Sequence, residues 1–226
     1  MAYAYYFKHR PLPSPNRMPT WIYHITPISN LPALLQCGEL LSKNQLQSSD
    51  AAYASIAYEH IQERRASKAV PCGPKGTLHD YVPFYFAPRS PMLYAIHRGY
   101  VDGYQGGQPD SLHLVTTAEA VAEASLGFAF SDGHAVVGYT SFYDDLAALP
   151  TAIDRDVMKT KFWNDTDEDG DRKRRRQAEF LVHQSVPWSL IRGICVINQT
   201  VADEVNRVLT QFGQTATIKV RPTYYY

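Results

Sequence analysis

The chain has 226 residues, with 22 Lys and Arg against 22 Asp and Glu, a formal net charge of zero. With 45% hydrophobic and 12% aromatic residues, and 13 Gly and 15 Pro spread along it, the composition excludes a disordered, collagen-like or coiled-coil protein. A chain of this length buries about 70% of its extended surface around one core, so a leading segment over 1–19 followed by a single domain over 20–226 is expected.

Residues 1–19 hold four prolines among basic and aromatic side chains and read as extended chain. The run WIYHI (21–25) is β-rich, and TPISN (26–30) caps a helix over Leu31, Leu34 and Leu35 that Gly38 stops. A second helix is expected over 55–69, with Ile56 and Ile61 inward and Glu63, Arg64, Arg65 and Lys68 toward solvent or a ligand. YVPFYF (81–86) reads as an aromatic strand that Pro83 pushes to an edge or a bulge. Then come a helix over 91–97, a loop over 103–109, a strand over 112–115 and a helix over 118–124. Two short apolar pieces (128–130 and 135–137) flank a turn over 131–134, and helices follow over 144–149 and 154–162. The C-terminal part carries strands over 178–182, 191–197 and 218–220, with an amphipathic helix over 201–212 directing Val201, Val205, Val208, Leu209 and Phe212 inward. The pattern is α+β with many short strands, and no 20–50-residue repeat is present.

Cys37, Cys72 and Cys195 are odd in number and form no C-x-x-C, which argues against a disulfide framework or a cysteine-built zinc site and favours a reducing cytoplasm. No apolar run reaches the roughly 20 residues of a membrane helix, and the first residues lack a signal peptide's apolar stretch and cleavage site. A soluble cytoplasmic protein with no membrane association is expected. The histidines His9, His24, His60, His79, His97, His113, His134 and His183 show no metal-ligand spacing, so no metal is expected. G-x-S-x-G, P-loop and G-x-G-x-x-G motifs are absent.

An acidic run (Asp165, Asp167, Glu168, Asp169, Asp171) abuts Arg172-Lys173-Arg174-Arg175-Arg176. Adjacent blocks of opposite charge describe a solvated loop, yet five basic residues also suffice to engage phosphates. Glu179 opens an apolar strand just after the basic block. It is a candidate catalytic carboxylate or a plain ion-pair partner, and spacing alone decides nothing between them.

Together, the runs IYHIT (22–26), SIAYEHIQERR (55–65), LHDYVPFYFAPRSPMLYAI (78–96), GQPDSLHLV (107–115) and RQAEFLV (176–182) resemble the DarT family of DNA ADP-ribosyltransferase toxins, its thymidine-modifying branch above its guanosine-modifying one. The resemblance runs in order from about residue 20 to the C-terminus. It implies an ADP-ribosyltransferase fold, two small, mainly antiparallel sheets with an NAD cleft between them and helices around it. It also implies NAD as co-substrate, no metal, thymine in single-stranded DNA as acceptor, and a separate antitoxin with ADP-ribosyl hydrolase activity; a monomer is expected.

Carried over by position, His24, Ile25 and Thr26 line the NAD site, residues 46–67 close over it, and Arg65 is the essential arginine. Tyr85 and Met92 contact the nicotinamide end, and Glu179 is the catalytic glutamate. Residues 131–178 form the substrate-recognising segment, which puts His134, Lys173, Arg174, Arg175 and Arg176 against DNA. Cleavage of the nicotinamide glycosidic bond develops positive charge on the sugar, which a carboxylate stabilises. Thymine N3 lies in the pairing face, so an unpaired base is the cheaper substrate. Two other readings stay open: the same fold acting on guanine, RNA or protein, and a non-catalytic nucleic-acid-binding module.

Overall fold

The computed structural model describes residues 18–48, 59–101, 104 and 106–226. Most of the leading segment, Ile56 and the start of the helix expected over 55–69 lie outside these residues.

The chain opens with β1 (Trp21–Pro27), α1 (Leu31–Cys37), β2 (Glu39–Leu41), α2 (Lys43–Ser48) and α3 (Glu59–Ser67). Next come β3 (Tyr81–Tyr85), α4 (Pro91–His97), β4 (Ser111–Thr117), α5 (Ala118–Glu123), β5 (Phe128–His134) and β6 (Phe142–Tyr143). Three short helices, α6 (Leu149–Ala152), α7 (Arg155–Lys159) and α8 (Arg172–Arg176), precede β7 (Ala178–His183), β8 (Ser185–Pro187), β9 (Gly193–Val196), α9 (Gln199–Gln211) and β10 (Ile218–Val220). Local chemistry sets several boundaries. Ser90, Thr117 and Asn198 each accept a backbone N–H of the first turn that follows them, and Gly38 ends α1 at φ +76°.

The strands order as β10-β9-β4-β1-β3-β7-β5-β6, with β2 and β8 forming a separate pair. All neighbours are antiparallel except β10 and β9. β1 pairs with β4 at seven positions but with β3 at one, Tyr23 opposite Tyr85. The large sheet is therefore two four-stranded halves joined at a single rung, which gives the expected two-sheet, α+β architecture its physical form.

Pro83 marks the seam. It lies in a central strand instead of at an edge, and its carbonyl accepts a hydrogen bond from His24 Nδ1 at 2.8 Å. The N–H and C=O of one strand residue point the same way, so the donor that proline lacks faces β1 and costs the β3–β7 ladder nothing.

Other expectations shift too. Residues 131–134 belong to β5, with a register shift between Phe130 and His134, because pairing of Ser131 with β6 and of His134 with β7 overrides their turn composition. The helical expectation over 144–162 resolves into two short helices and a 3-10 turn. Val201, Val205, Val208 and Leu209 are buried under α9, but Phe212, at the helix end, is 37% exposed. Inside, Phe128 and Phe130 of β5 stack against Phe180 of β7 in the main core.

Candidate active site

The seam between β1 and β3 opens into a cleft of about 580 Å³, walled by β1, β3, α3, α4 and the chain around 163–179. At its floor β7 places Glu179 directly opposite Tyr85 of β3. Glu179 is 3% and Arg65 8% exposed, and Arg65 Nη1 donates to both carboxylate oxygens at 3.0 and 2.8 Å. The β5 bulge completes the cradle. Ser131 Oγ accepts the Glu179 N–H at 3.1 Å and donates to the Gly133 carbonyl at 2.7 Å, while the Ala135 N–H reaches Glu179 Oε1 at 3.4 Å. The carboxylate is thus fixed before any substrate arrives.

Three buried polar atoms of cleft-lining side chains have no hydrogen-bond partner: His24 Nε2, Arg65 Nη2 and His79 Nε2. Buried polar atoms are ordinarily satisfied, so their convergence on one cleft points to a polar ligand. His24 donates from Nδ1 to Pro83, and burial pushes its pKa down to about 4; the ring is neutral near pH 7 and Nε2 is a free acceptor.

The expected NAD residues are brought together in large part. His24, Ile25, Arg65, Tyr85, Met92 and Glu179 all line the cleft. The Tyr85 hydroxyl lies 3.8 Å from Met92 Sδ, and burial raises its pKa. Thr26 is the exception: fully buried, outside the cleft lining, it accepts Asn30 Nδ2 at 3.1 Å and anchors the end of β1.

The expected DNA residues divide. His134 lines the cleft, its Nδ1 accepting the Val136 N–H at 3.3 Å. Burial lowers its pKa, helped by Arg65, Arg64 and Lys173 and opposed by Glu179. Lys173 is exposed at the cleft wall. Arg174 is bound by Asp132 at 2.8 Å and Asp171 at 2.7 Å, and Arg175 by Asp154 and Asp169, so each is neutralised both from the acidic run and by an aspartate from elsewhere in the chain.

Arg176 corrects the expectation outright. It is 3% exposed, its Nη1 donates to the carbonyls of Val157, Met158 and Thr160, and Nε and Nη2 donate to that of Arg89. It is an internal brace, placed where α8 turns into β7, and not a DNA contact.

Sequence reasoning missed His79, Lys43, Trp163 and Asn164, all on the cleft wall. His79 and Tyr85 sit within the same aromatic run, LHDYVPFYF, which was the available signal. Among the described residues no group of three or more His, Cys, Asp or Glu side chains could hold a metal, and no helix is long and apolar enough to cross a membrane.

The split, mainly antiparallel sheet with a buried Arg–Glu pair at the floor of its seam fits the ADP-ribosyltransferase fold that the resemblance implies. The sequence model of the family described as "ssDNA thymidine ADP-ribosyltransferase, DarT" matches residues 23–226, and the chain belongs to that family. A "DNA ADP-ribosyl transferase" of Thermus sp. is 47% identical over 210 residues, covering 92% of this chain and 97% of the relative. Solved structures of Thermus sp. 2.9 DarT superpose with TM-scores of 0.85 (in complex with ADP-ribosylated ssDNA; 45% identity, 92% and 97% coverage) and 0.83 (in complex with NAD+; 42%, 93% and 99%). A Thermosipho africanus fusion of a DNA ADP-ribosyl transferase with a DNA ADP-ribosyl glycohydrolase is 27% identical, over 83% of this chain and 45% of the fusion.

Proposed function

We propose that the chain transfers ADP-ribose from NAD to thymine N3 in single-stranded DNA and releases nicotinamide, with Glu179 and Arg65 as its catalytic pair. The observation that carries this reading is the buried Arg65–Glu179 contact at the floor of a cleft whose other unpartnered atoms await a polar ligand. Bound NAD supplies an N-glycosidic bond whose cleavage leaves positive charge on the nicotinamide ribose.

Glu179, held by Arg65 and the β5 bulge, sets its negative charge beside that sugar without reorganising, which is where electrostatic catalysis is strongest. Tyr85 and Met92 wall the same end of the cleft and hold the nicotinamide ring. As the bond from ribose C1′ to nicotinamide breaks and the bond from C1′ to thymine N3 forms, Glu179 accepts the N3 proton and nicotinamide departs neutral. Arg65 screens Glu179 during the approach and, through its free Nη2, holds an NAD phosphate.

His134 and Lys173 border the acceptor side and meet the DNA, while Arg174 and Arg175 shape that surface through their aspartates. Thymine N3 is masked by pairing in a duplex, so an unpaired strand is the cheaper acceptor. The protein works as a cytoplasmic monomer, and a separate antitoxin with ADP-ribosyl hydrolase activity reverses its product, the activity that the Thermosipho fusion carries in one chain.

The test is to incubate the protein and a Glu179→Gln variant with NAD and oligonucleotides with and without thymine, then weigh the products. One ADP-ribose on thymine-containing single strands, with the rate down about 10²–10⁴-fold in the variant, is expected. Equal modification of thymine-free strands, or of duplexes at the single-strand rate, would refute the acceptor assignment.

A further inference from the structure

We propose that His79 is a substrate-contacting residue whose Nε2 accepts a hydrogen bond from a donor on the adenosine half of NAD, a ribose hydroxyl or the adenine 6-amino group. The inference rests on NAD as co-substrate and extends it to a residue and a subsite.

His79 lies in a 3-10 turn, Leu78–Asp80, at the start of β3. The turn is held from several sides. Asp80 accepts the Thr77 N–H at 2.7 Å and hydroxyl at 3.0 Å, and Asn44 Nδ2 of α2 at 2.7 Å. Its carbonyl accepts the Gln184 N–H at 2.7 Å, and the Leu78 N–H reaches the Lys68 carbonyl at 3.0 Å. Such support from surrounding elements is what holds a functional side chain in one geometry.

The imidazole is 8% exposed and lines the cleft. The Gln62 main chain lies beside the ring and favours a proton on it, and Nε2 has no partner, so the neutral ring's proton is assigned to Nδ1. In the neutral ring Nε2 then carries only a lone pair. Burial, Arg65 and Lys43 all disfavour protonation, against Gln62 and Asp80, which favour it. A buried lone pair beside two cations suits a neutral donor adjoining a phosphate. In a dinucleotide, that is a ribose hydroxyl or a base amine.

Position selects the half. Glu179 faces Tyr85 at one end of β3, and His79 precedes Tyr81 at the other. Four strand steps of about 3.3 Å separate Tyr81 from Tyr85, roughly 13 Å. With the nicotinamide ribose held at Glu179 and the phosphates near Arg65, the next donors along the molecule belong to adenosine.

The test is calorimetric affinity, without DNA, for NAD and three analogues lacking the adenosine 2′-hydroxyl, the adenosine 3′-hydroxyl or the 6-amino group, in the parent and His79→Ala. The expected result is an about 10- to 30-fold loss for one analogue in the parent. His79→Ala then loses a similar factor for NAD itself and no longer distinguishes NAD from that analogue. The analogue that loses affinity identifies the donor. His79→Phe keeps the ring's bulk without an acceptor and is read the same way if alanine fails to fold. Parent-level NAD affinity in a folded variant, or weakened affinity with the parent's analogue preferences intact, overturns the proposal. A parent protein that binds no NAD overturns the functional reading itself.

Discussion

Arg176→Ala distinguishes an internal brace from a DNA contact. The guanidinium makes five hydrogen bonds to four backbone carbonyls, at 2.6, 2.6, 3.2, 3.1 and 2.9 Å, and burial lowers its pKa. Removing it strands carbonyls on two segments, Arg89 ahead of α4 and residues 157–160, and leaves a void between them. Unsatisfied buried acceptors cost about 1–3 kcal/mol each, less where water enters, so a net loss of about 4 kcal/mol is expected. For a chain of this size that corresponds to a fall in Tm of about 8–16 °C. Differential scanning fluorimetry measures the fall, and fluorescence anisotropy with a labelled single strand measures DNA affinity at a temperature where the variant is folded. An unchanged Tm with weakened DNA binding would refute the assignment and return Arg176 to the DNA surface.

Lys173→Ala is expected to behave oppositely, weakening single-strand binding and flattening its salt dependence by about 0.7 in log–log slope with Tm unchanged; an unaltered salt slope would remove Lys173 from the interface. Stability should also fall with acid. His24 and His113 have folded pKa values of about 4 against 6.5 unfolded, so between those values the unfolded chain binds more protons and stability rises with pH. The contribution, about 3 kcal/mol for each ring, is complete above pH 6.5 and lost as pH falls toward 4. Urea melts at pH 7 and pH 5 with equal midpoints would contradict that.

The chemistry of the site was more legible than its scaffolding. Glu179, Arg65, His24, Tyr85 and Met92 sit in short runs whose residue order persists along the chain, and all five meet in the cleft. The basic block misled because a row of like charges in a sequence does not say which member enters the protein. Arg176 is drawn inward where α8 runs into β7, and the aspartates that neutralise Arg174 and Arg175 include Asp132 and Asp154, remote in sequence. Pro83 was legible as a strand irregularity, but a residue that interrupts one ladder suits an edge or an internal seam equally well until the neighbouring strands are placed. β2, β6 and β8 span two or three residues each, too few for any alternation to show.

The seam carries a thermodynamic consequence. Where β1 and β3 part after the Tyr23–Tyr85 rung, the two half-sheets are left without the continuous pairing that would lock one against the other. A dinucleotide bound along that gap, as proposed above, would bridge both halves in place of the missing rungs, and its occupancy would act as a splint. Its stabilisation grows as RT ln(1 + [L]/Kd). Amide exchange should therefore slow on ligand binding in both β1 and β3, on either side of the gap, and not merely beside Glu179.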